Sequence, residues 1–344
     1  MAYTNFTLET DADGIALITW DMPEKSMNVI DISVMDDLDK IIDDVVADAA
    51  IKGAVITSGK AAFSGGADLT MLDGLLKGFH KERRKDAEAA AKTLFEGSRR
   101  LTLIYRKLET CGKPFVAAIN GTCMGGGTEL ALACHARVGV EDDSFKLGLP
   151  EVKVGLFPGA GGTQRVMRMT DAQAGLTFLM QGRTLRADKA KSMKLIDETA
   201  PAKKLVETAK KMLKAGVKPV KPWDEKGFKL PNGPVYSPAG FQFWPAANAI
   251  YRRETQDNYP GIRGLLKSVF EGLQLPMDLA LQVESRYFAH VLQTPEAANM
   301  IRSLFVSMQE LNKGARRPAD VKPNKIKKIG VIGAGFMGAG IAYV

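Results

Sequence analysis

The chain is poor in cysteine. Cys111, Cys123 and Cys134 are its only three. They form no Cys-x-x-Cys pair, and His135, a lone neighbour of Cys134, gives no metal-ligand spacing. This argues against a disulfide framework and against zinc, and leaves the thiols as packing residues; no metal is expected. A long apolar run is also missing. No stretch reaches the length that spans a bilayer, and the opening Met1-Ala-Tyr-Thr-Asn-Phe-Thr-Leu lacks a basic segment ahead of an apolar one. Neither a transmembrane segment nor a signal peptide is therefore expected, and the cytoplasm is the expected location. The formal net charge of +8 could serve nucleic acid, an acidic membrane or a polyanionic small molecule. Its bearers, among them Lys81, Arg83, Arg84, Arg99, Arg100, Lys210 and Lys211, lie on helix-like stretches among acids rather than aromatics. They read as solvated faces, and no nucleic-acid module is visible.

What is present is ample apolar material. At 45% hydrophobic residues over 344 positions, the chain can bury a core of the size that about two domains share. Residues 6–10 and 15–20 alternate like paired strands around the hairpin chemistry of Asp11-Ala-Asp-Gly14. Val34, Leu38, Ile41, Ile42 and Val45 keep a helical period, and residues 53–58 read as a short buried strand. Residues 63–76 read as a further strand and helix, residues 78–92 and 94–108 as surface helices, and residues 172–213 as largely helical. Strand and helix alternate, so an α/β fold with a largely parallel sheet is expected. Residues 216–240 hold several prolines and glycines and no period, which predicts a linker or long loop. Helical patterns resume at Ala246 and continue to Leu311. A basic linker over 314–324 follows.

The chain is organised around residues 115–162. The apolar run from Phe115 to Ile119 has the length of a buried strand, and Asn120-Gly121 ends it. Gly125-Gly126-Gly127 then opens a helical pattern. A strand that feeds a helix through consecutive glycines lets a ligand approach the backbone, while unpaired N–H groups of the first turn point at it. Such a site suits a carbonyl oxygen that gains negative charge. Glu129 follows in the first turn, and Glu151 follows Pro150 after a short strand over 144–149. Two carboxylates from separate segments can converge on one atom.

Val116-Ala-Ala-Ile-Asn-Gly121, Gly125-Gly-Gly127, Glu129 and Leu149-Pro-Glu151 together resemble the crotonase (enoyl-CoA hydratase/isomerase) family. Ala62-Phe-Ser-Gly-Gly-Ala-Asp-Leu69 resembles the other half of that family's oxyanion hole. The resemblance implies a spiral of ββα units, followed by a helical linker region and an incomplete Rossmann start. It makes the N–H groups of Ala67 and Gly126 the oxyanion donors, Glu129 the base that orients water, and Glu151 the acid that protonates C2. Asp68 and Leu69 at a helix start, and Gly159 with its backbone amide, are assigned to substrate and water binding; Arg165 is read as structural. Acyl-CoA is the implied substrate, some of the basic residues are candidates to steer its phosphates, and no cofactor is required for hydration. Hydrolases, decarboxylases and dehalogenases share the oxyanion hole, but these usually lack one of the two glutamates.

Further on, Ile326-Lys-Lys-Ile-Gly-Val-Ile-Gly-Ala-Gly-Phe-Met-Gly338 resembles the start of a 3-hydroxyacyl-CoA dehydrogenase domain. Crotonase half first and dehydrogenase start second is the order of the alpha subunits of bacterial fatty acid oxidation complexes. This implies a crotonase core over 1–200, a joining region over 201–325 and a truncated Rossmann start over 326–344. It also implies a thiolase beta subunit as partner, and a homo-oligomer or dimer. NAD is expected only for the missing dehydrogenase domain, because the acidic residue that meets the ribose ~20 residues after the glycines lies beyond Val344. An NAD-dependent dehydrogenase and a non-catalytic assembly module are the alternatives from other classes; the two glutamates speak against the second.

Overall fold

The computed structural model describes residues 3–318, 320–321 and 324–344. Strands β1 (Phe6–Thr10) and β2 (Ile15–Trp20) form the expected antiparallel hairpin, with Phe6 opposite Trp20. Asp11 shapes its turn by accepting from the N–H groups of Asp13 and Ile15, both at 3.0 Å. Helix α1 (Ile32–Ala47) starts where the Asp31 carboxylate accepts from Val34 N at 2.9 Å, and it buries the five residues whose spacing announced it. Strand β3 (Gly53–Ser58) is buried along its whole length and runs parallel to β2.

Next come helices α2 (Leu69–Arg83) and α3 (Ala87–Thr110), strands β4 (Phe115–Ile119) and β5 (Thr122–Met124), helix α4 (Gly126–Ala133), and strands β6 (Ala136–Val140) and β7 (Lys146–Gly148). A 3-10 turn over Glu151–Val154 leads to helices α5 (Gly162–Met169) and α6 (Ala172–Gln181). Strand β8 (Thr184–Leu185), helix α7 (Ala187–Ser192), strand β9 (Glu198–Ala200) and helix α8 (Leu205–Lys214) complete this part. The main sheet has the order β1-β2-β3-β4-β6-β9, parallel throughout except for the opening hairpin. A second sheet, β5-β7-β8, carries the segments that lead into α4 and into the 3-10 turn. Both sheets thus deliver chain to one place.

Several expectations shift. Residues 63–67 make isolated bridges, Ser64 to Cys123 and Ile30 to Ala67, rather than a strand. The helix expected over 78–92 divides, because Asp86 accepts from the N–H groups of Glu88 and Ala89 and so starts α3 afresh. Residues 172–213 are not helical throughout, since β8 and β9 interrupt them, and β9 adds to the sheet edge at β6.

Helices α9 (Pro238–Thr255), α10 (Pro260–Gly272), α11 (Met277–Leu292) and α12 (Pro295–Met300) follow. Helix α9 begins ahead of Ala246, where Ser237 caps Gly240 N at 3.1 Å and Pro238 takes a first-turn position that needs no N–H. A first compact unit extends to Phe305 and contains these helices; Val306–Val344 forms a second. The segment read as a linker over 216–240 is fastened to the core: Lys221 is buried, and its ammonium donates to the carbonyls of Leu132 at 2.9 Å and Cys134 at 2.7 Å. In the second unit, α13 (Met308–Asn312) and α14 (Phe336–Tyr343) are helical. The strand expected over 328–332 is absent among the described residues, where nothing pairs with it. Of the basic linker over 314–324, residues 319, 322 and 323 lie outside the described residues.

Arg165 is structural, as expected. Its fully buried guanidinium meets the Glu109 carboxylate of α3 at 3.0 and 3.1 Å and the carbonyl of Ala160 at 2.9 Å. Arg106 extends the network from Glu109 to Asp224 and to Asp278 of α11. Glu109→Ala strands a buried guanidinium, and is expected to lower stability by about 3–5 kcal/mol. Urea denaturation measures it. A loss under about 1 kcal/mol, the size of a surface pair, would contradict this account.

Candidate active site

The Ala67 peptide is held on both flanks. Ile30 N donates to Gly66 O, and Asp68 N donates to Ile30 O, both at 2.9 Å. The Ala67 N–H lies between them with no backbone acceptor among the described residues. Gly125, at φ +53°, turns β5 into α4, and its N–H goes to Gly148 O at 2.9 Å. The next N–H, of Gly126, opens the helix and so has no partner within it. A methyl group on Gly126 would lie 3.9 Å from Ala67 N and only 2.7 Å from Ile30 Cδ1. Glycine here lets the two N–H groups sit side by side at the positive end of α4. Tyr105, buried in α3, holds the next peptide by donating to Gly126 O at 2.8 Å.

Both donors open on a cavity of about 940 Å³, whose lining includes Ala67, Asp68, Leu69, Gly126, Glu129, Glu151 and Gly159. All the residues singled out from the sequence for the site thus reach one space, and its volume suits a small-molecule ligand. Their parts differ. Asp68 spends one carboxylate oxygen on capping α2, accepting from Thr70 N at 2.9 Å and Thr70 Oγ1 at 2.6 Å. Gly159 accepts from Thr102 at 2.9 Å, and Phe288 occupies the space a side chain there would need. Leu72, Leu101, Val154, Leu156, Phe157 and Phe288 give the cavity apolar walls.

The two glutamates have unlike surroundings. Glu129 is buried, and its Oε1 accepts from Ala160 N at 2.7 Å and Gly162 N at 2.8 Å. Burial raises its pKa, and those two amides work against the rise by favouring the charged form. Glu151 stands beside Gly125, where a methyl would come within 3.1 Å of its Oε1, and its Oε2 is buried without a hydrogen-bond partner. Burial, reinforced by the charge of Glu129, raises its pKa well above the carboxylate range. Both pKa values are thus raised by burial, but only Glu129 has amides that oppose the rise, whereas the charge of Glu129 adds to the rise at Glu151.

The sequence reading missed a third carboxylate. Glu284 of α11 accepts from the N–H groups of Gly161 and Thr163 and from the Thr163 hydroxyl, and burial pushes its pKa up to about 8. A signal existed: Glu284 falls on the same apolar stripe as Leu281, Ser285, Phe288 and Leu292, where a charge needs a reason. Among the described residues, no group of three His, Cys, Asp or Glu side chains is arranged to hold a metal, and no helix is long and apolar enough to cross a membrane.

Paired backbone donors above two dissimilar glutamates, on stacked strand-and-helix units, define a crotonase-type enzyme. The chain belongs to the enoyl-CoA hydratase/isomerase family, whose profile matches residues 10–221. It is 37% identical over 344 residues to the fatty acid oxidation complex subunit alpha of Idiomarina loihiensis, and 38% identical over 343 residues to that of Shewanella amazonensis. In each case 98% of this chain and 46% of the relative are covered, so the chain spans about half the length of the curated relatives it matches. The crystal structure of an enoyl-CoA hydratase/isomerase from Xanthobacter autotrophicus Py2 has the same fold, with a TM-score of 0.59 at 20% identity over 92% of this chain and all of that one.

The buried acid sets a pH dependence. The folded-state pKa of Glu151 lies above its ordinary value of 4.5, so the folded chain retains a proton that the unfolded chain loses. Its contribution to stability is complete below 4.5 and is lost as pH rises through the folded value. Glu151→Gln removes that loss. The variant is expected to gain stability over the parent progressively from pH 4.5 upward; thermal unfolding across pH checks this, and a pH-independent difference would contradict it.

Proposed function

We propose that the chain hydrates trans-2-enoyl-CoA, as an enzyme of fatty acid β-oxidation. The observation that carries this reading is the pairing of a proton-holding Glu151 with an amide-held Glu129 in one cavity under two free N–H groups. In the mechanism, the thioester oxygen accepts from Ala67 N and Gly126 N. Glu129 takes a proton from water as the water oxygen bonds to C3. The C2=C3 electrons move toward the thioester, whose oxygen gains charge that the two donors stabilise without reorganising. Glu151 then gives its proton to C2. The proton gained at one glutamate balances that lost at the other, so one water is added in all.

Isomerisation of 3-enoyl to 2-enoyl thioesters is a second activity on this reading. It needs a single carboxylate to move a proton between C4 and C2, and Glu151, with its unpartnered oxygen, is that group. Asp68, Leu69 and Gly159 are assigned to holding substrate and water. Residues 1–200 supply the crotonase core, 201–325 join it onward, and 326–344 begin a 3-hydroxyacyl-CoA dehydrogenase domain. NAD belongs to the rest of that domain. The similarity to fatty acid oxidation complex alpha subunits supports a cytoplasmic chain whose full-length parent is also a dehydrogenase and meets a thiolase beta subunit.

Loss of the enoyl absorbance on adding enzyme to crotonyl-CoA or a longer homologue tests the reading, and no change at any chain length would refute it. Glu151→Gln is expected to remove hydratase and isomerase together, each by about 10²–10⁴-fold, while Glu129→Gln spares more isomerase. Equal losses of both activities in both variants would show the roles wrongly divided.

A further inference from the structure

The loop Gly159-Ala160-Gly161-Gly162-Thr163 sends successive amides to opposite sides. Ala160 N and Gly162 N go to Glu129, whereas Gly161 N and Thr163 N go to Glu284. We propose that Glu284 is a positioning residue for hydration: by holding the amides of Gly161 and Thr163 it turns those of Ala160 and Gly162 onto Glu129. The proposal rests on the reading of Glu129 as the water-directing carboxylate.

The loop cannot hold itself in this form. Gly161 sits at φ +96°, and α5 begins without a side-chain cap of its own. Two carboxylates from distant elements do that work, Glu129 from α4 and Glu284 from α11. Arg165 closes the third side by donating to Ala160 O. Without Glu284, the N–H groups of Gly161 and Thr163 lose their acceptor in a buried place, and the loop rotates to find others. Glu129 then loses donors that favour its charged form. Glu151 does not depend on the loop's amides in this way, its Oε2 having no hydrogen-bond partner; the charge of Glu284 only adds to the rise in its pKa. Hydration and isomerisation should therefore part company. The charged groups that bear on Glu284 are Glu129 of α4, Glu151 of the 3-10 turn, and Arg165 and Arg168 of α5.

The test compares Glu284→Ala and Glu284→Gln with the parent chain in both reactions, alongside amide hydrogen exchange over the loop. In Glu284→Ala, kcat for hydration should fall by about 10²-fold, the size of effect a misplaced group produces. KM should stay within about twofold and isomerisation should persist. Exchange at Ala160 and Gly162 should quicken, because their amides have lost Glu129 as a fixed acceptor. Glu284→Gln keeps the volume and one acceptor, so it should recover part of the hydration. If the alanine variant does not fold, the glutamine variant and Thr163→Val, which removes the hydroxyl alone, carry the same comparison. A parallel fall of both reactions, or unchanged exchange at Ala160 and Gly162, would overturn the proposal. Should the parent chain show no hydration, the functional reading fails, and the exchange data still decide whether Glu284 holds the loop.

Discussion

Carboxylates buried against backbone amides are the constraint on which the site depends. An ionised carboxylate taken from water needs donors, and a buried N–H needs an acceptor. At residues 160–163 each supplies what the other lacks. Because the acceptors come from α4 and α11, and because Arg165 ties the same loop to Glu109 of α3, four helices meet at one short stretch of backbone. The glycines there permit the close approach: a methyl on Gly162 would lie 2.8 Å from Glu129 Oε1.

The same principle makes two chemically identical side chains unlike. Glu129 has amides at one oxygen, which moderate the rise that burial gives its pKa; Glu151 has an oxygen with no partner in a buried place, and its pKa rises further from the carboxylate range. At the far end of α4, the ammonium of Lys221 lies on the carbonyls of Leu132 and Cys134. When charged, that lysine offsets the negative end of the helix and leaves the positive end, at Gly126, less opposed. Burial, with the nearby Arg137 adding to it, lowers its pKa to about 7.

Much of the fold was legible because some stretches have one physical reading. Five apolar residues closed by Asn120-Gly121 could only be a short buried strand, and α1 announced itself by its period. The three-residue β5, with a threonine in it, is too short to show alternation. The chain over 63–67 was misread because its glycines serve a turn that bridges two neighbours instead of pairing along one. That Ala67, Gly126, Glu129 and Glu151 share one cavity was legible only through the family's motifs, since nothing in one sequence says that two N–H groups 59 positions apart lie side by side. Glu284 was passed over because its helix was read as a joining region, although its place on an apolar stripe was visible.

Helix α11 also sets where this molecule can be cut and rejoined. The family profile ends at residue 221, and a crossover there, between two relatives, would look neutral on an alignment. Physically it would pair a loop from one ancestor with the carboxylate from another. It would separate Arg106 from Asp224 and Asp278 in the same way. Each mismatched donor left buried costs about 1–3 kcal/mol. For recombination, then, the smallest exchangeable module is not the stretch that carries the family's signature. It runs through α11, and the helices after residue 221 are inherited with the loop they hold.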